Sequence, residues 1–169
     1  MIARRFAAFW GMLILAALLG CDKGGCGLAP YSIDPPADWQ KDEECDASAR
    51  YVSPAEGGAD DFREYFEVRY VPPPGRSHTA EYAGVNLSRL SDELDDFREL
   101  SREDVEINDA GGVKAVYTYT EDGKGLKAQA YFFLHKATGL VVTFVATEES
   151  YDRYAATFHA TAGTLRLEE

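Results

Sequence analysis

The chain has 169 residues, 46% of them hydrophobic and 27% charged, and carries a formal net charge of −12. That length supports one hydrophobic core of ordinary size. So acidic a balance repels phosphate backbones and anionic headgroups, which argues against nucleic-acid binding and against electrostatic docking on a membrane.

Residues 1–20 read as a secretory signal peptide. Arg4 and Arg5 precede an apolar stretch from Phe6 to Leu19, and the small Gly20 precedes Cys21. As a helix that stretch reaches only about 21 Å, short of the roughly 30 Å hydrocarbon core, so cleavage is read rather than a membrane span. Leu18-Leu19-Gly20-Cys21 resembles the lipobox of bacterial lipoproteins, in which the cysteine thiol is alkylated with diacylglycerol and becomes the new N-terminus. The alternative is an ordinary signal peptide that happens to contain a cysteine. The resemblance implies acylation (palmitate) at Cys21, a place in the cell envelope facing the periplasm, and the lipid bilayer as a partner through the acyl chains. Loss of Arg4 and Arg5 leaves a charge of −14, so the lipid itself must hold the protein to the membrane. Asp22 resembles the signal that retains lipoproteins in the inner membrane of enteric bacteria.

With Cys21 taken by lipid, Cys26 and Cys45 remain as a candidate disulfide in an oxidising compartment. The bridge would close a loop of about 20 residues, worth about 3 kcal/mol in the chain-entropy description. Two free thiols, or an exposed redox-active cysteine, are the alternative. Residues 21–30 are otherwise a Gly-rich tether spanning about 30 Å when extended, which keeps the domain at 31–169 beside the bilayer.

Along that domain the first extended segment is Tyr31 to Asp34, stopped by Pro35 and Pro36, with Trp39 behind it as a side chain needing burial. A weaker strand surrounds Arg50 to Ser53. Glu64 to Val71 alternates Tyr65, Glu67 and Arg69 against Phe66, Val68 and Tyr70, the period of a half-buried strand. From Thr79 to Leu100 the period becomes helical, with Ala83, Leu87, Leu90, Leu94 and Phe97 on one face and Thr79 as the capping residue. Val105 to Asn108 and a turn at Asp109 to Gly112 lead into three strands, Val113 to Thr120, Leu126 to Lys136 and Leu140 to Thr147. Their short Gly-containing connections predict an antiparallel meander, and the last run, apolar on both faces, is expected at the centre of the sheet. A second helix, Tyr151 to Gly163, packs through Tyr154, Phe158 and Ala162. The expected class is α+β, an antiparallel sheet of about five to six strands covered by helices.

Over residues 31 to 167 the sequence resembles a PsbP-like domain, the family that includes the DcrB-like bacterial lipoproteins. The resemblance rests on Tyr-Ser-Ile-Asp-Pro-Pro-Ala-Asp-Trp at 31 to 39, the long helix, Gly112-Val113-Lys114-Ala115 opening the meander, and a last helix carrying Tyr151, Tyr154 and Phe158. It implies an α/β/α sandwich around a twisted antiparallel sheet and an accessory rather than enzymatic role.

No motif names a reaction or a cofactor. His78, His135 and His159 fall in a loop, a strand and a helix without ligand spacing, and the glycines at 111, 112, 123 and 125 suit hairpin connections. Asp92, Asp95, Asp96 and Glu99 share a face if the helix runs through them; they either attract a cation or form an ordinary solvated face, and a straight helix alone lacks a calcium site's converging oxygens. Tyr65, Tyr70, Tyr117, Tyr119 and Tyr131 on predicted strands can line a groove or pack as core. The function expected is a membrane-anchored, non-enzymatic module that binds or helps assemble another envelope component, with an envelope protein as partner. The alternative is a carrier holding a small apolar ligand in a cleft between helix and sheet.

Overall fold

A computed structural model describes residues 31–46, 48–58, 61–75, 77–135 and 138–168. The leader, Cys21, the tether and Cys26 lie outside these residues, and with them the lipidation and the Cys26–Cys45 pairing. In chain order the elements are β1 (Tyr31–Ser32), β2 (Gln40–Asp46), β3 (Ser48–Val52), β4 (Tyr65–Tyr70), α1 (Thr79–Glu93), β5 (Asp95–Ile107), β6 (Ala110–Glu121), β7 (Lys124–His135), β8 (Thr138–Thr147), α2 (Tyr151–Ala162) and β9 (Arg166–Leu167). Among the described residues these form a seven-stranded antiparallel sheet in the order β2-β3-β4-β8-β7-β6-β5, and a separate pair, β1 with β9. The strand count therefore exceeds the five to six expected. The short Tyr31 segment leaves the main sheet to pair with a C-terminal strand that carries little periodic signal.

The meander forms as its turns predict, and β8 lies at the centre of the sheet, between β4 and β7. Its two-sided apolar sequence explains the position: Leu140, Val142, Phe144 and Ala146 bury toward α2, and Val145 buries toward α1. On the α2 face Phe66, Phe133, Phe144 and Phe158 are almost fully buried and Trp39 joins them at 8% exposure. On the α1 face Tyr82, Ala83 and Leu87 pack on Ala115, Ala128, Ala130 and Phe132. One helix covers each face.

α1 is shorter than its apolar period predicts. It ends at Glu93, Leu94 is already extended, and Asp96 takes a positive φ of 53°. The reason is electrostatic. Asp92, Glu93, Asp95 and Asp96 crowd the negative end of the helix dipole, its last turn carries no basic residue, and aspartate is a poor helix former. Phe97 keeps its apolar role from a strand, its ring 5.2 Å from that of Tyr117. Thr79 is the first helical residue and not the cap; that place falls to His78, whose side chain makes no capping bond.

Candidate functional site

α1 covers only part of its sheet face. It lies chiefly on β5, β6 and β7, reaches β8 through Tyr82 at Gly139 and through Val145, and stands less closely over β4 and β3. The helix can settle so closely because β6 and β7 offer small side chains, with Ala115, Ala128 and Ala130 fully buried. Tyr82 anchors its first turn by donating to the Val71 carbonyl at 2.9 Å, and Asn86 donates to the Tyr82 carbonyl at 2.8 Å. What remains beside the helix is a groove of about 340 Å³. The groove lies between one flank of α1 and the sheet.

Val141, Thr143 and Val145 of β8 make the floor of the groove. Arg50 of β3 and Tyr65, Glu67 and Arg69 of β4 rise on one side; Asn86, Arg89, Leu90 and Glu93 of α1 stand on the other. Tyr117, Tyr119 and Glu121 reach in from β6. The strand side follows from alternation: Tyr65, Glu67 and Arg69 share one face of β4, while Phe66 and Val68 fill the core on the other. Glu67 stands opposite Arg50 on β3 and opposite Thr143 on β8.

The charges are arranged in pairs. The Arg69 guanidinium lies 3.0 Å from the Glu67 carboxylate, and Arg89 lies 3.6 Å from Glu93 one helical turn on. Arg50 covers the Tyr65 ring at 3.8 Å from its centroid, within cation–π range. The Tyr65 and Tyr119 hydroxyls are hydrogen-bonded to one another. Burial raises the pKa of Tyr65, Tyr117 and Tyr119 above the ordinary phenol value, and nearby negative charge adds to it. These tyrosines are neutral donors and ring surfaces at any physiological pH.

Of the five strand tyrosines, the structure brings Tyr65, Tyr117 and Tyr119 to this groove and turns Tyr70 and Tyr131 to the α2 face. The three histidines stay apart, at the entry to α1, at the end of β7 and in α2. The acidic helical face does not exist: Asp92 is helical, whereas Asp95, Asp96 and Glu99 lie on β5, where Asp96 accepts from Thr120 and Glu99 holds Arg102 at 2.7 Å. Among the described residues no three His, Cys, Asp or Glu side chains come together as metal ligands, and no helix is long and apolar enough to cross a membrane. Cys45 stands on the outermost strand β2. Glycine has a different use from the one expected at 111, 112 and 125. The β5–β6 turn is made by Asn108 and Asp109, both at positive φ, while those glycines lie within strands; only Gly123 turns a hairpin, beside Asp122. The charged walls of the groove were missed, although the β4 alternation already placed Glu67 and Arg69 on the side of Tyr65.

A second polar cluster is structural. Glu64, 3% exposed, accepts from Ser53 at 3.2 Å and from Ser150 at 2.6 Å, and Ser150 accepts from Thr147. It fastens the 53–64 loop to the start of α2, where the helix dipole also favours a carboxylate.

No family model and no curated protein matches the sequence. Solved structures do share its shape. PA94 of Pseudomonas aeruginosa, a protein of unknown function, superposes with a TM-score of 0.65 at 20% identity, over 79% of this chain and 89% of that one. LpqN of Mycobacterium tuberculosis, involved in cell envelope biogenesis, gives 0.58 at 9% identity, over 82% and 83%. The cyanobacterial PsbP of Synechocystis gives 0.54 at 12% identity, over 85% and 96%. At such identities the likeness concerns architecture alone: this chain has a PsbP-like fold, an antiparallel sheet with one helix on each face.

Proposed function

We propose that the protein is a lipid-anchored, non-enzymatic binding module of the bacterial envelope, related to the DcrB-like lipoproteins. It would be held through Cys21 on the periplasmic face of the inner membrane and would recognise another envelope component in the groove beside α1. The observation that carries this reading is the groove between α1 and β4, lined by tyrosines, paired charges and valines of β8. That set is suited to holding a molecule rather than to activating one, and a cavity of this size lies within the usual range for small ligands and side-chain anchors. The envelope role of LpqN, a protein of the same architecture, is in keeping with it. The paired charges on the walls favour a polar guest over the purely apolar ligand of a lipid carrier.

The test uses the full lipidated chain in intact cells. A photocrosslinking residue in place of Arg89, on the helix wall, should trap a defined envelope component; one in place of Arg153, on α2 across the sheet, should not. Equal trapping at both positions, or none at Arg89, would remove the groove as the recognition surface. Separately, Cys21→Ser should abolish labelling by palmitate, and continued labelling would refute the anchor.

A further inference from the structure

Six charged side chains line the groove: Arg50, Glu67, Arg69, Arg89, Glu93 and Glu121. Glu67 is the most withdrawn of those that form ion pairs. Its side chain is 18% exposed, against 61% for its partner Arg69, 54% for Arg89 and 58% for Glu93. Tyr65 precedes it on the same face of β4, and the charge of Glu67, after burial, helps to keep both Tyr65 and Tyr117 protonated. A carboxylate set back beside an aromatic ring is the chemistry that recognises an ammonium group: the carboxylate supplies the countercharge, and the ring face attracts the polarised methylenes or methyls around nitrogen.

The protein's own cations already occupy these positions. Arg50 lies over the Tyr65 ring and Arg69 lies on Glu67, and both belong to exposed, flexible side chains. We propose that the groove is a site for a small organic ammonium group, primary to quaternary, which takes the place of Arg69 at Glu67. This rests on the reading of the groove as the recognition surface and names the chemistry of its guest. Leu90, Val141 and Val145 receive the carbon skeleton. The net charge of −12 draws cations toward the surface and repels anions.

Isothermal titration of the full lipidated chain, in a non-ionic detergent at low ionic strength, tests this. Choline, ethanolamine and glycerophosphoethanolamine are the probes, with glycerol phosphate as the anionic control. At least one ammonium probe should saturate a single site, and Glu67→Gln should weaken it by about tenfold or more. Arg69→Ala should tighten it, because a competitor is removed; a merely structural role for Arg69 does not give that sign, and this variant carries the test if Glu67→Gln fails to fold. Preference for ethanolamine or choline identifies a free ammonium compound, and preference for glycerophosphoethanolamine a lipid headgroup. The proposal is overturned if no ammonium probe saturates below about 10 mM, if Glu67→Gln leaves affinity unchanged, or if Arg69→Ala weakens binding. Saturation by glycerol phosphate alone would also overturn it while leaving the groove itself as the binding surface, whereas failure of the groove is read independently from crosslinking at Arg89.

Discussion

Gly111 and Gly112 are neighbours in sequence with opposite requirements. A methyl group on Gly112 would stand 2.5 Å from the Phe133 ring, which is fully buried and has nowhere to move, whereas one on Gly111 meets nothing within 4 Å. Gly112→Ala should therefore cost about 1–3 kcal/mol as overpacking, and Gly111→Ala should change stability by less than about 0.5 kcal/mol. Urea unfolding of the two variants checks the pair; equal midpoints would show that the sheet can absorb the methyl. The sequence suggests turn glycines here because Gly-Gly after Asp-Ala is a turn signal. Asn108 and Asp109 form the turn instead, as short polar side chains tolerate positive φ, and Asn108 also donates to the Gly163 and Leu165 carbonyls at 2.9 and 2.8 Å. The need for glycine at 112 comes from a strand 21 residues away, opposite Phe133, and no local pattern reports it.

For whole elements, burial was legible and boundaries were not. The β4 alternation, the meander and α2 appear where the periods place them, because each packs one continuous stripe against the core. The helix boundary at Glu93 was obscured because Leu94 and Phe97 satisfy a helical period and then meet the core from a cap and a strand. β5 carries charge on both faces and two register shifts, features that discourage pairing by a further strand at the edge of the sheet. α2 depends on a contact outside its own sequence. Removing the buried Glu64 carboxylate strips Ser53 and Ser150 of their shared acceptor, so Glu64→Ala should cost about 1–3 kcal/mol. Glu64→Gln should recover part of that loss. Thermal unfolding followed by circular dichroism measures both, and an unchanged Tm in Glu64→Ala would show that Ser150 finds another partner.

At the scale of the molecule, several of the ten tyrosines resist ionisation together. Burial raises Tyr82 and Tyr131 to about 12 and holds Tyr117 and Tyr119 higher still. In the unfolded chain these phenols lose their protons near pH 10, so above that value the unfolded state releases protons that the folded state retains, and stability falls. The urea midpoint should be level up to about pH 9.5 and decline between pH 10 and about 12, with tyrosinate absorbance appearing as the protein unfolds. Ionisation of all ten near pH 10 without loss of structure would contradict the burial described. The groove itself was only half legible. Tyrosine on strands gave its rings, but which tyrosines meet depends on strand order, and that order is set by β4, which pairs with β3 along one edge and with the distant β8 rather than β5 along the other.

That pairing also has a kinetic side. Tyr65 to Tyr70 must wait for Leu140 to Val145, so β2, β3 and β4 cannot join the main sheet until nearly the whole chain is present. The β5 to β8 meander closes through local hairpins, but the rung from Phe66 to Phe144 carries the loop-closure cost of the long-range step. While a nascent chain is incomplete, the hydrogen-bonding edge of β4 stays open beside Phe66 and Val68, and that interval is when the protein is most exposed to aggregation and to proteases.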